Sequence, residues 1–378
     1  MKSRKRTVIH IITHLDIGGA QDNTLLTIER TDRERFSTIL VSSPGGGFAR
    51  RAEIAAGRLV LMDNLKREIS PLADLRAFLE LVRLFRIERP DIVHTHGSKA
   101  GILGRFAARF ASGCTVIHTV HSFPFYPGIS RARLYLYLFL ERAAARLTDR
   151  LVFVSRRQGE KAEELGIALP GRWEVVRSGI DLDRLERGEG SRVRAELNIP
   201  AKVPLVGSVG RLFAQKAPEL FLEAARILRD RGRDARYLYA GGGPLETRMK
   251  DLIVRWKMED CFHLLGWRDD IPDIIDALDV FVISSRYEGV GRALTEALAR
   301  GLPVAATGVD GVPELVRDEE TGILVESENP EALAAAVERL LDDRKLARSL
   351  GEKGRELVRS EFSADEMVKR LEALYDTL

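Results

Sequence analysis

Cysteine is almost missing from this chain: Cys114 and Cys261 are the only two in 378 residues, and neither sits in a metal-binding spacing. A disulfide scaffold is excluded, and a reducing compartment fits. No apolar run reaches the roughly 18 residues that a membrane span needs. The basic start, Met1 to Arg6, leads into an apolar run that already contains His10 and soon meets Asp16, so no signal-peptide core or cleavage site forms. A cytoplasmic protein is expected. Repeats and low-complexity segments are absent too. Acidic residues are missing entirely between Asp91 and Glu141, while Lys99, Arg105, Arg109, Arg131 and Arg133 remain.

With 45% hydrophobic and 30% charged residues, the chain reads as a folded protein, and its length suggests roughly two domains. The net charge of +3 hides an asymmetry. Residues 1–180 carry 29 Lys and Arg against 18 Asp and Glu, and the rest carry 30 against 38. A basic first half suggests an anionic partner, namely a phosphorylated acceptor, an acidic membrane leaflet or nucleic acid. A solvated basic face with no partner is the plainer alternative. The usual nucleic-acid modules interleave aromatics with their basic residues, and that pattern is missing, so no nucleic acid is expected.

The most informative stretch runs from Ser284 to Val304. A β-branched run, Val280 to Ile283, reads as a buried strand. Gly289 and Gly291 then loosen a turn, and a helix over Arg292–Arg300 stops at Gly301 with Pro303 beyond it. Strand, turn and helix aim backbone N–H groups outward, where the helix dipole favours an anion. Glu288 and Glu296 bracket this site, with seven residues between them. Carboxylates are poor phosphate ligands but good acceptors for hydroxyls. The combination suits a ligand with both phosphates and sugar hydroxyls, although two solvated helix-surface glutamates would read the same locally.

Other strand–turn–helix passages share this grammar. Thr7 to Thr13 ends in a turn with Gly18, Gly19 and Gln21, before a helix expected near Asp22. Further strands are expected at Thr38–Ser42, Arg58–Met62 and Ile92–His94, alternating with helices such as Leu72 to Glu88. Leu151–Ser155 closes this first sheet, and Trp173–Val176 adds one more strand. The second half opens with the strand Pro204–Val209, followed by Gly210 and then by Arg211 and Lys216, two cations placed where a diphosphate could lie. Strands at Tyr237–Ala240, Cys261–Leu265 and Val304–Thr307 follow, with Trp267 and Arg268 just after the second of these. The whole is the rhythm of α/β, doubly wound parallel sheets.

Four histidines, His94, His96, His118 and His121, fall at the ends of two strands, where ligands of such sheets bind. They could ligate a metal or, as neutral rings, line a sugar pocket. The nearby sequence lacks the aspartates that a metallohydrolase would add, so no metal is expected. Asp181-Leu182-Asp183 has a metal-like spelling but lies at the domain joint, where it leads into a polar stretch, Arg184 to Arg194, that reads as a linker. The aromatic helix over Ile129–Leu147, with arginines at both ends, suits either a membrane interface or the core. Its unbroken apolar run favours the core.

Together these motifs resemble the retaining GT-B nucleotide-sugar glycosyltransferases of glycosyltransferase family four. The resemblance rests on Glu288 and Glu296 in their glycine turn, Gly210-Arg211 with Lys216, the Gly18-Gly19 turn, Ile117-His118-Thr119-Val120-His121 and Gly311-Val312-Pro313-Glu314, all in the family's order. It implies two Rossmann-like domains facing across a cleft. Residues 1–178 would be the acceptor side and 179–362 the nucleotide-sugar side, with a last helix over 363–378 returning to the first domain. It implies that Arg211 and Lys216 bind the diphosphate, that Glu296 holds the ribose hydroxyls and that Glu288 contacts the donor sugar. Backbone at Gly289, Val290, Gly291 and Arg292 would support sugar and phosphate, Arg268 would border the base, and His121 would lie near the reacting carbon. Gly18, Gly19, Gln21 and His96 complete the expected substrate contacts.

The chain departs from the family's habit at Val290, Arg292, Gly242 and Ser178. Arg292 puts a cation beside the expected donor-sugar site, which suits a donor sugar bearing a carboxylate or another strong acceptor. The expected reaction is metal-independent transfer with retention. A UDP- or GDP-sugar would donate to a saccharide or lipid-linked acceptor in surface polysaccharide or glycolipid assembly, with peripheral contact at an anionic membrane. No cofactor is expected. A GT-B-like epimerase or phosphorylase, or a histidine-cluster metallohydrolase, are the alternatives.

Overall fold

Short β-branched runs bounded by glycine turns become parallel strands once helices cover both faces, and the chain does this twice. The computed structural model describes residues 4–111, 113–123, 129–185 and 188–378. Part of the basic start and residues 186 and 187 of the expected linker lie outside them. Two compact units result: residues up to Gly179 together with Ala364–Leu378, and Ile180–Ser363.

In the first unit the strands are β1 (Arg6–Ile12), β2 (Phe36–Ser42), β3 (Arg58–Leu61), β4 (Ile92–His96), β5 (Thr115–Val120), β6 (Arg150–Phe153) and β7 (Trp173–Val175). Their order is β3-β2-β1-β4-β5-β6-β7, with every neighbour parallel. The strand order reverses between β1 and β4, so the crevice at their carboxyl ends is the natural ligand position. One face packs Ile9, Ile11, Val93 and Val116 against Ala77, Leu81 and Phe85 of the helix Pro71–Glu88. The other packs Val8, Ile92 and Ile117 against Met367, Leu371, Leu374 and Tyr375 of the last helix, Ala364–Thr377.

The second unit repeats the plan with β8 (Leu205–Val209), β9 (Arg236–Ala240), β10 (Phe262–Gly266), β11 (Val280–Ile283), β12 (Val304–Thr307) and β13 (Ile323–Val325). Their order is β10-β9-β8-β11-β12-β13, again parallel throughout. Here the reversal falls between β8 and β11.

Several details differ from the sequence reading. The helix expected near Asp22 begins at Gly19, because Gly18 is extended and its carbonyl already accepts from the Asp22 N–H at 2.9 Å. β4 runs on to His96, which places that ring inside the sheet. Gly190–Glu196 is helical where a linker is expected. The aromatic helix, Arg131–Ala145, is not a core helix: Tyr135, Leu136 and Phe139 are exposed, and only Leu138, Glu141 and Ala144 are buried. Glu141 turns inward because Arg105, fully buried on the helix Ser98–Ala111, pairs with it at 2.7 Å.

Candidate functional site

In the second unit the carboxyl ends of β8, β11 and β12 lead into three turns that are stitched together. The Ser284 hydroxyl donates to the carbonyls of Lys216 and Ala217, at 2.9 and 3.0 Å. The Arg286 N–H donates to the Gln215 carbonyl at 2.8 Å, and the Gln215 amide returns a bond to the Tyr287 carbonyl at 3.0 Å. From the third turn, Asp310 accepts the Glu288 N–H at 3.0 Å. The Thr307 hydroxyl caps the Ser285 carbonyl at 2.7 Å. A turn held at this many points keeps its glutamate in one place.

That glutamate is paired. The Lys216 ammonium meets the Glu288 carboxylate, both largely buried, and the Ser285 hydroxyl lies 3.4 Å from the same carboxylate oxygen. Burial, with Glu288 and Glu219 nearby, pushes the Tyr239 phenol up, so it stays a neutral donor, facing the Arg211 carbonyl at 3.5 Å. Arg211 is exposed, with its guanidinium 4.7 Å over the Phe213 ring. Lys216 and the start of the helix Arg292–Ala299 thus lie at one edge of the sheet, at the mouths of adjacent strands.

Glycine is required at two points of this edge. Gly291 precedes the helix with φ 83°. Gly241 has φ +137°, and a Cβ there would lie 2.0 Å from the Gly210 carbonyl oxygen. Inside the helix, Arg292 reaches one turn along to Glu296 at 2.9 Å. The cation read as a donor-sugar contact and the carboxylate read as a ribose contact therefore hold each other. Gly289 sits in the turn, and Val290 is buried.

Arg268 is held by a network. It binds Glu196 at 2.6 and 2.9 Å and Asp270 at 2.8 Å. The neighbouring Trp267 is exposed and packs over the glycine turn after β9, where a Cβ on Gly242 would lie 2.5 Å from its indole nitrogen. Sequence reasoning did not give roles to Ser285, Asp310, Gln215 and Tyr239. The glycine-flanked Asp310 was the one with a visible signal.

The first unit gathers Gly18, Gly19, Gln21, His96 and His121 at the carboxyl ends of β1, β4 and β5. The Gln21 amide nitrogen lies 3.2 Å from His14 Nδ1, and His14 is also 3.1 Å from Asp16. Behind this rim the histidines form a hydrogen-bonded group. His96 Nδ1 faces His121 Nε2 at 3.3 Å, and His96 Nε2 faces His10 Nδ1 at 3.1 Å. His94 bridges the Tyr375 hydroxyl and the Thr119 hydroxyl, both at 2.7 Å. His118 points to the opposite face of the sheet, where its Nδ1 meets Thr95.

Desolvation keeps all of these rings neutral. It lowers His10 to about 3 and His121 to about 4, and it holds His94, His96 and His118 well below the ordinary value. Nitrogens of His10, His94 and His96 lie within 4.8 Å of one another, which is close enough for a metal. Both nitrogens of His94 and of His96, and one of His10, already face protein partners. The group is built as a hydrogen-bonded cluster.

Residues 17–184 match the family model described as Glycosyltransferase Family 4, and residues 191–357 match the one described as Glycosyl transferases group 1. A UDP-Gal:alpha-D-GlcNAc-diphosphoundecaprenol alpha-1,3-galactosyltransferase from Escherichia coli is 31% identical, over 98% of this chain and 97% of the relative. The capsular polysaccharide biosynthesis glycosyltransferase CapM of Staphylococcus aureus is 25% identical, over 83% of each chain. Among solved structures, Anabaena Alr3699/HepE in complex with UDP-glucose superposes with a TM-score of 0.85 at 20% identity, covering 98% of this chain and 100% of the other. The likeness to that structure is one of fold.

Proposed function

This chain belongs to the group 1 glycosyl transferases of glycosyltransferase family four and is a GT-B glycosyltransferase, and from that premise we propose that it transfers a hexose from a UDP-sugar to a lipid-linked saccharide, with retention and without a metal. The observation that carries the substrate reading is the match, along nearly its whole length, to a galactosyltransferase named for a UDP-Gal donor and a diphosphoundecaprenol acceptor. The Anabaena complexes with UDP and UDP-glucose support uridine over guanosine.

The site geometry fits the chemistry. The departing diphosphate carries negative charge, and Lys216, Arg211 and the first-turn N–H groups of the helix Arg292–Ala299 are the groups to stabilise it. Glu288 is tied to Lys216 and Ser285, which makes it a poor covalent nucleophile. Front-face attack follows, in which the leaving phosphate oxygen takes the acceptor's proton while His121 orients the sugar. Glu296 would then divide its two oxygens between Arg292 and the ribose.

A lipid-linked acceptor implies contact with a membrane surface. Among the described residues no helix is long and apolar enough to cross one. The first unit offers a peripheral surface instead. Leu72, Leu75 and Leu79 are exposed on the helix Pro71–Glu88, and Tyr135, Leu136 and Phe139 on Arg131–Ala145, with Arg76, Arg131, Arg133 and Arg142 around them. Both helices pack beside Ser98–Ala111. Apolar side chains among arginines suit an anionic interface.

One preparation in EDTA tests both parts. UDP at about 100 times its dissociation constant should stabilise the protein by roughly 2.7 kcal/mol, and GDP and ADP should not. Stabilisation by GDP alone, or only after manganese is added, contradicts the donor reading. The protein should float with anionic vesicles at low salt and dissociate as salt rises, and failure to float at low salt sinks the membrane reading.

A further inference from the structure

The transfer chemistry uses only the outer end of the histidine group, yet the rings behind it form a continuous run. His10 sits on β1 directly beside His94 on β4, and His96 lies two residues further along the same face. The contacts go from His10 Nδ1 to His96 Nε2, then from His96 Nδ1 to His121 Nε2. The inner end is blind: His10 Nε2 is buried and has no partner among the described residues. The rings are held in this geometry from the side. His94 is locked between Tyr375 and Thr119, with its ring centroid 4.4 Å from that of His96 and 5.2 Å from that of His10.

Each neutral imidazole carries one ring proton, so three rings and two contacts allow only two arrangements. In one, His10 donates outward from Nδ1 to His96 Nε2, and His96 donates from Nδ1 to His121 Nε2. His121 then carries its proton on Nδ1, and the unpaired inner atom is a lone pair on His10. In the other, every bond reverses, His121 Nδ1 is bare, and a buried N–H on His10 is left without an acceptor. Orphaned N–H groups are the rarer and costlier outcome in folded proteins. The first arrangement is therefore favoured.

We propose that His10 and His96 are positioning residues that fix the tautomer of His121, so that His121 offers an Nδ1–H donor to the ligand and never a bare Nδ1 base. The proposal rests on the transferase reading for the ligand but not for the tautomer. It makes His121 a hydrogen-bond donor to a sugar or phosphate oxygen, a role that needs no proton to leave the ring. That division of labour suits front-face attack, in which the phosphate oxygen is the base. Burial supports it, because rings held at about 3 and about 4 are neutral near pH 7 and keep one proton each.

The test reads the ring tautomers directly. Long-range proton–nitrogen NMR correlations on wild-type protein with 15N-labelled histidine should show His121 protonated on Nδ1 at pH 7.5. In His10→Leu, which removes the inner donor, His121 should show both tautomers. Its kcat should fall on the order of 10- to 100-fold, the usual cost of losing an outer partner that orients a histidine, with donor KM nearly unchanged. His10→Asn, whose amide nitrogen stands close to the Nδ1 position, should restore both. A wild-type His121 protonated on Nε2 overturns the proposal, and so does a folded His10→Leu with an unaltered tautomer and kcat. If His10→Leu does not fold, the wild-type spectrum still decides. A wild type with the expected tautomer but no sugar transfer would sink the transferase reading and leave the tautomer assignment standing.

Discussion

Lys216→Ala should lower kcat/KM for the donor by on the order of 10²-fold or more, the scale of removing one preorganised charge from a developing oxyanion. Two effects add. On the proposed reading, the diphosphate would lose an ammonium offered from the turn after β8. Glu288, largely buried, also loses its ion-pair partner and becomes an uncompensated negative charge. Diphosphate binding at the proposed site would then be opposed. The effects separate in Lys216→Met with Glu288→Gln, which removes the stranded charge while keeping side-chain volume. That double variant should recover the folding stability lost by Lys216→Ala and still fail to transfer. Full activity in Lys216→Ala would mean that the leaving group is stabilised elsewhere.

The second large effect concerns folding. Arg105→Leu should cost about 3–5 kcal/mol, because it leaves the Glu141 carboxylate buried without its cation. Arg105 donates its Nε–H to the Gly101 carbonyl at 2.9 Å, so the change also removes a bond inside the helix Ser98–Ala111. Arg105→Leu with Glu141→Leu should regain most of the loss, since paired burial of charge is often no better than apolar packing. Guanidinium unfolding followed by circular dichroism measures this, read on the transition that belongs to the first unit. An Arg105→Leu midpoint equal to wild type would show that Glu141 finds water or another partner.

What could be read from the sequence was local. A β-branched run, a glycine turn and a helix-forming run specify strand, ligand-facing turn and helix within about 20 residues, so the edge holding Glu288, Arg292 and Glu296 was legible. Lys216 could be placed at a neighbouring turn for the same reason. Its pairing with Glu288 could not be seen, because the two are 72 positions apart. The same separation hides the grip of Glu196 on Arg268. His10 looked like a polar interruption in an apolar strand, and nothing in the returning last helix singled out Tyr375. Only the register of β1 against β4, and the return of the last helix, bring them to His94 and His96.

The aromatic helix misled for a physical reason. Apolar residues around its whole circumference suggest burial, but burial needs neighbours on every side. Here the helix has a sheet beneath it and leaves Tyr135, Leu136 and Phe139 outward. In the same way β13, of three residues, was too short to stand out by composition.

The most direct measurement is the transfer reaction itself, with the anomeric configuration of the product read by NMR. Purified protein in EDTA, given UDP-galactose or UDP-glucose and a short-chain polyprenyl-diphosphate GlcNAc in anionic micelles, should release UDP and form an α-linked disaccharide. A β-linked product, isomerised nucleotide sugar formed without acceptor, or turnover that depends on added metal would contradict retaining, metal-independent transfer by this chain.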